Sequence, residues 1–214
     1  MTSRFPQVDT TAAGIVESVL AAPPTLGAGR LVCVDGPAGS GKTTLASALN
    51  RGFRDGLRRP GDPASAAHVR LVHMDNLYDG WAGLSAGMAT MTSSVIGPLR
   101  TGSPGRYRRF DWHRMELAEE RVVPPCDVLV VEGVGSGGPR HGGYDDVVTC
   151  LVWVDTPSDV RLERGLLRDG ADALDHLVAW REQEAAMFAR ERTRERADVV
   201  VDGASGRLVS TPSA

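Results

Sequence analysis

Four short apolar-rich runs punctuate the chain, and each closes on an acidic residue. Leu31–Val34 ends at Asp35, and Val69–His73 runs into Met74 and Asp75. Asp127–Val131 ends at Glu132, and Cys150–Val154 ends at Asp155. Runs this short, bounded by glycine, proline or charge, are too brief for helices and predict buried strands. Ala197–Val201 predicts a fifth.

Between these runs the apolar period changes. Ile15, Val16, Val19 and Leu20 recur at helical spacing within 9–22, with Asp9, Thr10 or Thr11 available as caps. Thr43–Leu49 continues as a helix, residues 80–102 read as partly helical, and 172–196 reads as one long helix. Thr156-Pro157-Ser158-Asp159 predicts a helix start, with Thr156 as N-cap, Pro157 as first helical residue and Asp159 as capping-box acid. Pro23–Gly29 reads as a linker, 51–66 and 133–143 as loops, and the small polar segment from Gly203 as a mobile tail. Arg106–Arg114 is polar and aromatic, and its pattern assigns no element. Strands alternating with helices predict an α/β fold: a five-stranded parallel sheet covered on both faces.

Composition narrows the functional classes. The chain has 214 residues, of which 42% are hydrophobic, enough for one domain with a sizeable core. A net charge of −3 and a pI of about 6.0 give no basic surplus for nucleic acid. No apolar run approaches the roughly 18 residues that suggest a membrane span. The first residues, Met1–Pro6, lack the apolar core of a secretory signal. Cys33, Cys126 and Cys150 are isolated and read as free thiols of a reducing, cytoplasmic protein.

Arginine supplies nearly all the positive charge, and Lys42 is the single lysine. It lies in Gly36-Pro37-Ala38-Gly39-Ser40-Gly41-Lys42-Thr43, which fits the phosphate-binding P-loop, G-x-x-x-x-G-K-[ST]. The context is also right: a strand before the loop and a helix after it. Such glycines let backbone amides approach phosphate oxygens, and a lysine ammonium reaches between the β- and γ-phosphates. The Thr43 hydroxyl is then a Mg²⁺ ligand, while Thr44 either touches phosphate or caps the helix. In open α/β sheets ligands sit beyond the carboxyl ends of the strands, so Asp75 and Glu132 should face the phosphates. Val128–Val131 before Glu132 resembles a Walker B strand, which makes Glu132 a second Mg²⁺ holder. Asp75 is placed to orient an acceptor hydroxyl or take its proton. Asp35 and Asp155 read as structural.

Arg161, Arg164 and Arg168 recur at i, i+3 and i+7 on one helical face. The stripe is either a lid over the phosphates or a solvated face. Tyr78, Trp81, Phe110 and Trp112 are candidate stacking faces for a base, or core. Asp111 is a candidate diol ligand, and His113 and Arg114 are ambiguous. His68, His73, His141 and His176 show no metal-ligand spacing.

Five segments, in order, resemble the uridine kinase family of P-loop kinases: the P-loop run, Met74–Tyr78, Arg109–Trp112, Val130–Gly133, and Val154–Asp169. The likeness spans most of 30–202. It implies a P-loop NTPase-type three-layer sandwich with a short helical lid near 161–172; the N-terminal helix and linker over 1–29 are extra to the family, and a tail over 203–214 follows. It implies ATP- and Mg²⁺-dependent phosphorylation of a nucleoside 5′-hydroxyl, such as that of uridine or cytidine. By the same resemblance Asp75 is the general base and Tyr78 lies near the acceptor. Phe110, Asp111 and Trp112 belong to the acceptor side, and Arg164 and Arg168 to the lid. The partner implied is a small molecule; a homo-oligomer is left open.

Three departures concern the acceptor end and the lid. Asp79–Leu84 stands where the family usually carries a further ribose-binding aspartate motif. His113 directly follows Trp112 instead of lying a few residues on, and Gly165 replaces a usual lid arginine. Rival readings are a kinase for a sugar or coenzyme precursor, a P-loop ATPase without an acceptor, and a non-catalytic nucleotide-binding regulator. A single lysine excludes the guanine-reading element of GTPases, and its place in a Walker A run excludes the protein kinases.

Overall fold

In the computed structural model, which describes residues 6–58 and 68–210, the apolar runs become the centre of a three-layer α/β sandwich. The strands are β1 (Arg30–Asp35), β2 (Val69–His73), β5 (Val128–Glu132), β6 (Val148–Asp155), β7 (Val199–Asp202) and β8 (Leu208–Ser210). A hairpin of β3 (Gly105–Asp111) and β4 (Glu116–Val123) stands apart. Sheet order is β2-β5-β1-β6-β7-β8, with all pairs parallel except β7 with β8.

The sheet therefore has six strands, not five. The sixth comes from the segment read as a tail: Leu208 pairs with Val201 across the turn that begins at Gly203. Three residues of strand beside a polar turn carry no periodic signal. The last tail residues, 211–214, fall outside the described residues.

Burial on both faces explains why the central strands read as unbroken apolar runs. Val32, Val34, Val128, Val130, Val152 and Val154 point to one face, under α1 (Pro6–Ala21) and α2 (Lys42–Gly56). Leu31, Cys33, Leu129, Val131, Leu151 and Trp153 point to the other. That face is covered by α6 (Leu174–Glu191) and by a helical stretch over 84–100. The stretch runs as α3 (Leu84–Thr90), a π-helical segment (Met91–Ile96) and α4 (Gly97–Arg100).

Other boundaries move for local reasons. The helix expected over 172–196 breaks at Arg192, which adopts a left-handed conformation (φ 51°) and starts the short α7 (Thr193–Arg196). Helix α5 (Ser158–Asp169) begins after Pro157, and Thr156 does not cap it. Its hydroxyl instead donates to the carbonyls of Asp155 (2.7 Å) and Ser40 (3.0 Å), tying β6 to the P-loop. No helix among the described residues is long and apolar enough to cross a membrane.

Candidate active site

The P-loop links β1 to α2 at the carboxyl edge of the sheet. Its shape depends on glycine: Gly36 has φ 140° and Gly39 φ 79°. A Cβ at Gly36 would lie 2.4 Å from the Val154 carbonyl oxygen, and one at Gly39 2.6 Å from that of Arg161. Gly41 (φ 101°) precedes the first turn of α2, whose leading amides have no intrahelical acceptor. Ser40 Oγ is buried without a hydrogen-bond partner, and Lys42 Nζ folds back onto the Pro37 carbonyl (2.9 Å). Free amides, an orphaned hydroxyl and an ammonium satisfied only by its own loop suit an incoming polyphosphate.

Asp35, at the end of β1, is fully buried and locks this loop to its neighbour. Its carboxylate accepts the amides of Gly36 (2.7 Å), Gly135 (2.9 Å) and Gly137 (2.8 Å). Burial pushes its pKa up to about 6, against the pull of those amides and of Lys42. The structural role expected of Asp35 is what the geometry shows.

Glu132 ends β5 beside the P-loop. Thr43 Oγ1 donates to Glu132 Oε1 (3.2 Å), and the same oxygen meets His73 Nδ1 at 2.5 Å. His73 and Glu132 are register partners on adjacent parallel strands, so their contact follows from two strand ends lying side by side. The Glu132 hydrogen bond raises the His73 pKa, partly opposed by desolvation. Among the described residues no cluster of three or more His, Cys, Asp or Glu could hold a metal alone. The Thr43 and Glu132 oxygens instead suit a Mg²⁺ that takes its remaining ligands from phosphate and water.

Asp75 stands one turn beyond β2, open to the same cleft. Although solvent reaches it, the surrounding walls desolvate it and raise its pKa; Glu132 adds to the rise, while Lys42, Arg168 and His73 oppose it. The cleft encloses about 1160 Å³, more than the roughly 300–1,000 Å³ of a single small-molecule site.

Beyond Asp75 the wall is aromatic. Trp112 lines the cleft, donates its indole N–H to the Asp75 carbonyl (2.8 Å), and meets Trp81 edge-on at 5.2 Å. Trp81 stacks on His176 at 5.3 Å, with 5° between the planes. Tyr78 also lines the cleft, but is buried, with its hydroxyl on the Val134 carbonyl (2.6 Å) and its ring 4.9 Å from Trp180. Trp180 and His176 lie on α6, far along the chain, and no local pattern marked them.

Two expected acceptor residues sit elsewhere. Phe110 is buried behind Trp112. Asp111 caps the hairpin turn, accepting the amides of His113 and Arg114 (both 3.1 Å) and pairing with Arg109 (3.1 Å). These contacts occupy the carboxylate that a diol would need.

The arginine stripe divides. Arg164 donates to the Gly39 carbonyl (3.1 Å) and lines the cleft with Arg168, which pairs with Asp169 (2.7 Å). Arg161 turns inward to Glu184 (3.0 Å) and the Thr156 carbonyl (3.1 Å). Glu184, buried on α6 and not singled out by any motif, also accepts the Ala38 amide (2.8 Å), so it braces the P-loop from behind. Gly165 packs where α5 meets α6: a Cβ there would lie 3.3 Å from Leu177. An arginine at that position would have to displace this contact.

No protein-family model and no curated protein matches the chain. Among solved structures it is similar to a candidate uridine kinase from Bacillus stearothermophilus, at 20% identity and a TM-score of 0.60, over 90% of this chain and 98% of that one. It is also similar to a candidate fructose transport system kinase from Silicibacter sp. TM1040, at 22% identity and a TM-score of 0.52, over 87% of this chain and 94% of that one. The likeness establishes the fold that these structures share; activity has to be argued from the site.

Proposed function

We propose that this protein is an ATP- and Mg²⁺-dependent kinase of the uridine kinase-like type, moving the γ-phosphoryl group to a small-molecule hydroxyl. The observation that carries the reading is that Asp75 lines one cleft together with the P-loop and with an aromatic-walled compartment, whose Trp112 bonds the Asp75 carbonyl. A P-loop that served hydrolysis alone would have no need of that compartment.

Lys42, the Gly39, Gly41, Lys42 and Thr43 amides left free in the P-loop, and Arg164 bind and neutralise the phosphates. Thr43 and Glu132 would hold Mg²⁺, which supplies charge neutralisation across the β- and γ-phosphates. Glu132 is kept in place by His73. Asp75, with its pKa raised, is a stronger proton acceptor than an ordinary carboxylate and receives the acceptor's hydroxyl proton or fixes its direction. Arg168 lies in the same cleft, where its attraction to Asp75 is felt from both sides. Phosphoryl transfer asks mainly for such positioning and charge neutralisation.

The favoured acceptor is a nucleoside, at its 5′-hydroxyl. Trp81, Trp112 and His176 offer flat faces of the kind on which a base stacks. Of the arginines that line the cleft, Arg168 is paired with Asp169 and Arg164 donates to the Gly39 carbonyl, which favours an uncharged ring over a carboxylate or phosphate ester. A sugar is the second reading, since one structure of the same fold is a candidate fructose transport system kinase and sugars also pack on tryptophan. The test is Mg-ATP with a panel of nucleosides, sugars and coenzyme precursors. ADP that forms only with one acceptor class supports the proposal; ADP that forms equally without any acceptor replaces it with an ATPase.

A further inference from the structure

Helix α1 precedes β1 and takes no part in the P-loop motif, yet its first turn reaches the cleft. Pro6, Gln7 and Val8 line the same continuous cavity as Gly41–Leu45 of the P-loop, on the opposite side from the tryptophans. Facing them is the turn between β7 and β8, Gly203–Gly206, which lines it too.

The two segments are built to meet. Thr11 Oγ1 donates to the Gly206 carbonyl (2.8 Å). Gly206 has φ +74°, and a Cβ there would lie 2.4 Å from Val8 Cγ2 and 3.0 Å from the Val8 amide nitrogen. Only glycine lets α1 approach so closely. The turn is set internally as well: Asp202 accepts the amides of Ala204 (2.7 Å) and Ser205 (3.0 Å), and its backbone carbonyl takes that of Gly206 (2.7 Å). These amides draw the Asp202 pKa down, so the carboxylate stays charged and the turn stays formed at neutral pH. The result is a closed seam where Val8 meets Gly206, beside which Pro6, Gln7 and Val8 and the small residues of the turn line one side of the cavity. Gln7, exposed at its edge, has no hydrogen-bond partner among the described residues.

We propose that α1 and the 203–206 turn form the subsite for the base of the donor nucleoside triphosphate, with Pro6 and Val8 packing on the flat ring and the Gln7 carboxamide reading its edge. This rests on the kinase reading only in taking the P-loop as the triphosphate site. A base here lies beyond the first turn of α2, with its phosphates directed toward Lys42, and it leaves the tryptophan compartment free for the acceptor. Helix α1 is then part of the catalytic unit and not an appendage to it.

The experiment is calorimetric titration of the full chain, with Mg²⁺ present, using ATP and inorganic tripolyphosphate as separate probes. Wild type is compared with Val8→Asp, which puts charge against the ring, and with the milder Val8→Ala, which serves if the first fails to fold. The expected result is ATP binding weakened tenfold or more by Val8→Asp and about threefold by Val8→Ala, with tripolyphosphate affinity unchanged within twofold. Equal weakening of both probes would mean that α1 acts through the P-loop, and unchanged ATP affinity would place the base elsewhere; either overturns the proposal. No acceptor is present, so these outcomes are separate from the fate of the kinase reading. A wild-type protein that binds neither probe sinks both.

Discussion

Asp35 offers a prediction whose size can be worked from its surroundings. A buried carboxylate with a folded-state pKa of about 6, against an ordinary 3.8, is disfavoured in its charged form by about 3 kcal/mol. The folded state holds the Asp35 proton more tightly than the unfolded state does. Stability from this group is therefore greatest below pH 4 and is lost as pH rises through 6. Between pH 4.5 and 7.5 about 2 kcal/mol of the 3 should disappear. Other carboxylates, such as Asp202, have lowered pKa values and slope the opposite way, so wild type alone does not isolate Asp35. Asp35→Asn does, since asparagine keeps one oxygen for the Gly36 and Gly135 amides but does not titrate. Urea unfolding of both proteins at the two pH values gives the difference. Wild type's advantage over the variant should shrink by about 2 kcal/mol on going to pH 7.5. A difference that stays constant or grows with pH would refute the assignment of a raised pKa to this buried clamp.

Glu184→Ala should cost about 3–5 kcal/mol in the same urea assay, because it strands the part-buried Arg161 and leaves the Ala38 amide without its acceptor. Arg164→Ala should lower kcat about 10²-fold or more in a coupled ADP assay while stability changes little, as its guanidinium faces the cleft. Trp112→Leu should raise the acceptor KM at least tenfold and leave the ATP KM within twofold, from losing one stacking face worth about 1–3 kcal/mol.

The sheet and the P-loop edge of the cleft were legible because each rests on local chemistry. Runs buried on both faces announce themselves as unbroken apolar strings, and a P-loop carries its glycines and lysine within eight residues. The hairpin was not legible: β4 is Glu116–Val123, largely exposed and crowded with charge, so neither alternation nor an apolar run marks it. The arginine spacing correctly put three side chains on one face, but spacing does not reveal which of them finds a buried partner. Arg161 found Glu184, 23 residues on, and left the cleft to Arg164 and Arg168. The aromatic wall of the cleft was half visible, with Trp81 and Trp112 in view and His176 and Trp180 brought in by α6. His73 could have been found from the sequence, since strand-end residues on neighbouring parallel strands meet, and His73 and Glu132 occupy equivalent ends. Asp111 misled because a carboxylate beside a tryptophan looks like a ligand whether or not backbone amides already hold it.

The central claim is that Asp75 serves transfer to an acceptor, not nucleotide binding. It is tested most directly by following label from γ-labelled ATP into the preferred acceptor, with wild type and Asp75→Asn, while measuring ATP affinity for both. Transfer should fall by at least 10²-fold in the variant, the lower range for losing a positioned acid–base group, with ATP affinity kept within about threefold. Transfer at the wild-type rate in Asp75→Asn would contradict the account.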